Sequence, residues 1–196
     1  MGKFLVGMIV VIAAVAGVAM YYLQVYAFYD EVVATGLDDV QLVSFVSNDP
    51  EPIVYESFQA IDADSSPIRY RACFTTSFSH AMLTETYVGL DDVVPRNAPG
   101  WFDCFDAAAI AAELEAGTAL AFLGGKNIEF GVDRVVVITE DGHGYAWHEL
   151  NDCGDKAYDG SIVGEECPPR PWTQSSTSEF RKCFGKLRYE RTDDYP

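Results

Sequence analysis

Three histidines and their neighbours are where this sequence could do chemistry. His143, His148, Asp152 and Cys153 lie close together in the chain, and two imidazoles with a carboxylate or thiolate would suit zinc or copper. Their spacing argues otherwise. His143 falls at a hairpin tip and His148 in a strand, without the i,i+4 repeat that sets two ligands on one helix face. Cys153 is better used in a disulfide. His80 ends the run Cys73-Phe74-Thr75-Thr76-Ser77-Phe78-Ser79-His80. A Ser/His hydrolase needs its nucleophile on a sharp turn such as G-x-S-x-G, and the chain has none. Gly124-Gly125-Lys126 is a fragment of a phosphate loop, but the G-x-x-x-x-G-K-[ST] spacing is missing and Asn127 follows the lysine, so a turn is expected. Carboxylates are abundant and none is singled out as an acid/base pair. The sequence therefore assigns no catalytic, cofactor-binding or metal-ligating residue, and the expectation is a protein that is not an enzyme.

The five cysteines are Cys73, Cys104, Cys153, Cys167 and Cys183. In an exported domain the default is disulfides, and an odd number leaves one over. The preferred pairing is Cys73 with Cys104 and Cys153 with Cys167, leaving Cys183. Closing loops of about 15 to 30 residues would contribute about 3–4 kcal/mol each on the chain-entropy model. The absence of C-x-x-C argues against a thioredoxin-like centre or a zinc ribbon, and the absence of C-x-x-C-H against standard haem attachment. Trp101-Phe102-Asp103-Cys104-Phe105 reads as core packing against the first of these disulfides.

Residues 4–23 are an unbroken apolar run preceded only by Lys3. At about 1.5 Å per residue, a helix of that length spans about 30 Å, the hydrocarbon thickness of a bilayer. Gly17-Val18-Ala19 would pass as a cleavage site, but hydrophobicity continues into Tyr21, Tyr22, Tyr26, Phe28 and Tyr29, where an interfacial aromatic belt belongs. A retained anchor is expected. The short N-terminal flank carries Lys3, whereas the other opens with Asp30, Glu31, Asp38 and Asp39 and has no cation before Arg69. The positive-inside rule puts the N-terminus in the cytoplasm and the rest outside. Gly7, Val10, Ala14 and Gly17 share a helical face, and Ala13 with Gly17 makes a small-xxx-small pair. Close approach of a partner helix is expected there.

The elements that must position the rest are short. Residues 30–37 are expected to continue the membrane helix until Gly36 ends it. Residues 40–46 and 53–58 read as strands around a 48–52 turn, 62–67 as a loop, and 68–74 as a strand with Arg69 and Arg71 on one face. A further strand is expected over 83–88. The clearest helix runs over 107–116, with Asp106 as N-cap and Gly117 as stop. Residues 119–123 and 132–139 read as core strands about a 124–127 turn, and Asp141-Gly142 leads into a hairpin strand over 144–149. This is an α+β fold: one N-terminal transmembrane helix, then a small disulfide-bonded domain with a mainly antiparallel sheet and one Ala-rich helix. The expected divisions are an anchor over 1–29, an acidic domain over 30–168 and a tail over 169–196. The tail is Pro/Ser-rich, then basic and aromatic. Trp172, in a Pro-rich stretch with no core to join, is expected to anchor on a partner.

Net charge is −17 and unevenly spread: residues 1–167 carry −19 and residues 168–196 carry +2. Such a surface argues against nucleic acid and against lying flat on anionic lipid. It would steer a basic partner toward the membrane.

The stretch 21–27, Arg69-Tyr70-Arg71-Ala72-Cys73-Phe74-Thr75, Ala98-Pro99-Gly100-Trp101-Phe102-Asp103-Cys104-Phe105-Asp106-Ala107 and Gly131-Val132-Asp133-Arg134-Val135-Val136 resemble a domain-of-unknown-function family. The family comprises short single-pass membrane proteins of Gram-negative bacteria. The resemblance covers roughly residues 1–170, and the tail departs from it. Members have been labelled histidine kinase, but this chain lacks glycine-rich ATP-binding boxes and a helical phospho-acceptor histidine. The resemblance implies inner-membrane anchoring, a periplasmic domain and the cysteine pairing above, and no chemistry.

The expected function is a non-catalytic accessory subunit of an inner-membrane electron-transfer complex, respiratory or photosynthetic. Contact would run through the transmembrane helix and the tail, with the acidic domain near the docking site of a basic carrier such as a c-type cytochrome. The alternatives are a stand-alone envelope assembly factor or sensor and, less favoured, an unrecognised periplasmic enzyme.

Overall fold

Helix α1 (Gly2–Tyr22) buries none of its side chains, as suits a helix whose solvent is lipid. The computed structural model describes residues 2–36, 38–165 and 167–168. At its end α1 widens into a π-type turn, Leu23–Ala27, and the span Gly2–Ala27 is long and apolar enough to cross a membrane. This N-terminal apolar helix fits a membrane anchor. The expected helical continuation over 30–37 does not form. Asp30–Val32 is instead strand β1, because Val32 can pack on a sheet core while Asp30 and Glu31 stay exposed at the edge. Leu37 lies outside the described residues.

Strands β2 (Gln41–Val43) and β3 (Pro50–Pro52) make a separate antiparallel pair. Residues 50–52 are therefore strand rather than turn, and a short strand with an open side tolerates two prolines. β4 (Glu56–Asp62) begins and ends later than expected. Pro67 starts a 3₁₀ turn, Pro67–Arg69, ahead of β5 (Arg71–Thr75). Arg69 is thus outside the strand, and the expected Arg69/Arg71 face does not exist. α2 (His80–Thr86) replaces the strand expected over 83–88. The Ser79 hydroxyl accepts the Met82 N–H and caps the helix start, and Leu83 is buried. β6 (Gly89–Leu90) follows.

Helix α3 (Ala107–Ala116) has the expected ends: the Asp106 carboxylate accepts from the Ala108 and Ala109 N–H groups, and Gly117 closes it with φ +76°. β7 (Ala119–Glu129) continues through the expected 124–127 turn, and its pairing with β8 shifts register there between Leu123 and Gly125 and again between Gly125 and Glu129. Gly124 is needed there because a Cβ would come within 2.7 Å of Val136 Cγ2. The chain reverses at Gly131 instead, with φ +76°, into β8 (Val132–Thr139) and then β9 (His143–Leu150) across Asp141-Gly142.

Seven strands form one antiparallel sheet in the order β1-β4-β5-β9-β8-β7-β6. Alternation along its strands feeds two cores. One holds Ala72, Phe74, Val136 and Ile138 with Leu42 of β2 and Leu83 of α2. The other holds Cys73, Val135, Val137 and Trp147 with Ile110 of α3 and Phe102 and Phe105 of the preceding loop. The fold is thus an N-terminal apolar helix, a mainly antiparallel sheet domain with a few helices, and two disulfides, Cys73–Cys104 and Cys153–Cys167.

The chain divides after Asn151 into two units. In the second, none of the described residues is buried. A bridge between Lys156 and Ile162 organises it, with the Asp159 carboxylate accepting from the Ser161 N–H at 2.9 Å and from its hydroxyl at 2.6 Å. Residues 169–196, with Trp172 and Cys183, lie outside the described residues.

Candidate functional site

His80 and His148 are committed to structural hydrogen bonds, while His143 stands exposed. His148, in β9, is 5 % exposed and stacks on Tyr70 with ring centroids 4.5 Å apart. Arg134 Nε donates to His148 Nε2 at 3.1 Å, so that nitrogen must be the unprotonated one. The proton then sits on Nδ1 and is donated to the Pro67 carbonyl at 2.7 Å. Burial, reinforced by the Arg134 cation, pulls the imidazole down to about 4. Neither nitrogen is left to take a metal or move a proton. The Arg134 guanidinium also lies over the Tyr70 ring at 4.6 Å. A cleft beside this group is lined by Asp62, Asp64, Glu129, Arg134 and His148, and burial pushes Asp62 up from its ordinary range.

His143 is exposed at the β8–β9 turn, 3.5 Å from Asp141, whose carboxylate takes the Thr139 hydroxyl hydrogen bond. It pairs opposite Thr75 while His148 pairs opposite Arg134, so the two are not brought together. Cys153 is bonded to Cys167. Among the described residues no three His, Cys, Asp or Glu side chains gather as metal ligands. His80 places Nε2 2.9 Å from the Ile138 carbonyl, Ser79 caps α2, and Cys73 is in a disulfide. Gly124-Gly125-Lys126 lies within β7.

The more distinctive constellation is where the sheet meets the end of the apolar helix. Trp101 Nε1 donates to the Val25 carbonyl at 2.7 Å, satisfying one of the carbonyls left open at a helix end. Its ring stacks on Tyr26, which stacks on Tyr22, and meets Tyr29 edge-on. The loop carrying Trp101 is held from behind. The Cys73–Cys104 disulfide ties it to β5, and the buried Arg71 guanidinium donates to the Arg96 and Asn97 carbonyls, each at 3.1 Å. Arg71 also donates to the Ile68 and Tyr70 carbonyls. With carbonyls rather than a carboxylate around it, burial lowers it to about 10, still a cation at neutral pH. Trp101 is thus both a core aromatic and the link to the anchor, a role invisible in its local sequence. Gly7, Ala13, Ala14 and Gly17 are exposed on α1, and nothing lies within 4 Å of a Cβ built on Gly7 or Gly17.

Residues 40–168 match the model of a family described as a family of unknown function, DUF6446. No curated protein and no solved structure matches the chain.

Proposed function

The chain belongs to the DUF6446 family of unknown function, and from that premise we propose that it is a non-catalytic accessory subunit of an inner-membrane electron-transfer complex, respiratory or photosynthetic. Its N-terminus faces the cytoplasm and its acidic domain the periplasm. One observation carries the reading: an apolar helix with exposed small residues is joined through Trp101 to an acidic domain whose His80, His148 and Arg71 are spent on structural bonds. Such a molecule places a charged surface at a fixed position by the membrane. The acidic surface suits a basic electron carrier such as a c-type cytochrome, attracted over about a Debye length of 10 Å at 0.1 M salt.

The test is a mild-detergent pull-down through a tag on this protein, with mass spectrometry of what co-elutes. A stoichiometric haem- or quinone-containing complex is the expected result. Elution alone as a monomer overturns the subunit reading in favour of a stand-alone assembly factor or sensor. For the carrier, deleting the protein is expected to flatten the salt dependence of cytochrome c turnover; an unchanged dependence removes that part of the proposal.

A further inference from the structure

Strand β1 covers only the far end of β4: Asp30, Glu31 and Val32 pair with Asp62, Ile61 and Ala60. After Val32 the chain leaves the sheet edge, and no strand among the described residues replaces it beside Phe58 and Gln59. The space left is a cleft of about 480 Å³. Val33 and Ala34 form one wall, Phe58 and Gln59 the sheet edge, and Trp101 and Asp103 the other wall. Val33 is 79 % exposed although its neighbour Val32 is packed. Glu31 and Asp103 are exposed on the rim, and no Lys or Arg lines the cleft.

We propose that this cleft docks an extended, basic segment of a partner protein, laid along the bare edge of β4 at Phe58–Gln59. An apolar side chain of that segment sits between Val33 and Trp101, and its cations face Glu31 and Asp103. Sheet edges accept extended peptides through backbone hydrogen bonds, with alternate side chains reading the pockets beside the edge. The register irregularity between Glu56 and Gln59 keeps the pairing short, so charge supplies much of the attraction and binding is salt-sensitive. The rim carboxylates disfavour an anionic lipid as occupant. The inference rests on the reading that this domain works by binding rather than by reaction, and it names where and what it binds.

The probe is a peptide of about ten residues alternating Val and Lys, with a Val–Glu peptide as its control. Both are titrated against the full chain in detergent micelles, with hydrogen exchange followed over residues 56–61. Expected are binding of the basic peptide alone, slowed exchange at Phe58–Gln59, and about tenfold weaker binding in Glu31→Lys/Asp103→Lys. Glu115→Lys/Glu140→Lys makes the same change of net charge outside the cleft and is expected to weaken binding by about twofold or less. Equal losses in the two variants, binding without protection at 58–59, or no binding each overturn the cleft as the site. Gln59→Arg, at an exposed cleft position, separates this from the subunit reading. If Gln59→Arg still co-purifies with its complex while the wild-type chain fails to bind the peptide, the cleft is wrong and the subunit reading stands.

Discussion

The two disulfides hold together regions built on opposite principles. Cys73–Cys104 crosses from the sheet to the loop before α3 and lies among Phe102, Phe105, Ile110 and Trp147, so the bond reinforces a packed core. Cys153–Cys167 closes a loop in which no described residue is buried and whose order rests on turns and backbone hydrogen bonds such as Ala157 N–H to Ser161 O at 2.8 Å. The contrast shows that a crosslink can add to a core or stand in for one, and that the consequences of cutting it differ.

Trp147→Ala should break the contrast from the core side. Its side chain is fully buried, and truncation should cost the sheet about 3–5 kcal/mol, read by urea unfolding. Hydrogen exchange in the 153–167 loop should not change; a matching loss there would mean that the two regions unfold as one.

Replacing both cysteines of a pair tests it directly. Without Cys73–Cys104, spanning 31 residues, the sheet should lose about 4 kcal/mol on the chain-entropy model. Without Cys153–Cys167, the loop should lose its amide protection while the sheet's urea midpoint stays in place. Equal midpoint shifts in both variants would erase the distinction.

Acid should separate the regions by pH window. His148 has an ordinary value of 6.5 and is pulled down to about 4 in the fold, so the unfolded chain binds the extra proton between those values. The stability contributed by neutral His148 is complete above pH 6.5 and is lost as pH falls through 4, to a total of about 3 kcal/mol. His148→Gln should flatten that limb in unfolding measurements. The Ser161 hydrogen bonds lower Asp159 from its ordinary 3.8, so the loop's own acid loss starts only below that range. A profile from pH 6.5 to 4 that is the same in His148→Gln as in the wild type would contradict the bonding assigned to His148.

The smallest expected effect is local. Asp106→Ala removes the α3 cap and should cost the sheet unit about 1 kcal/mol, measured as a shift in Tm, again without touching the 153–167 loop.

Legibility from sequence followed the range of the interactions. α3 was readable end to end because Asp106, the alanine run and Gly117 state its cap, body and stop within one segment. The apolar anchor and the β8–β9 hairpin were readable for the same reason. α2 was misread because the β-branched and aromatic residues over 83–88 imitate a strand, while the signal that decides, the Ser79 cap, lies upstream of them. Residues 30–37 were misread because nothing local tells that Val32 will find Ala60 across a sheet edge. At the site, the aromatic belt was visible, but the bond from Trp101 to Val25 spans 76 residues. The hydrogen bonds that hold His148 neutral likewise come from Pro67 and Arg134, on other elements.

The Trp101 link also couples two bearings. The ring grips the π-type turn that follows α1 through a directional N–H bond and the Tyr26 stack. Spinning α1 about its long axis therefore swings the sheet like the pointer on a dial. A rotation that turns Gly7 and Gly17 therefore also turns the β4 edge, so the bearing of the helix sets the direction in which the sheet can reach.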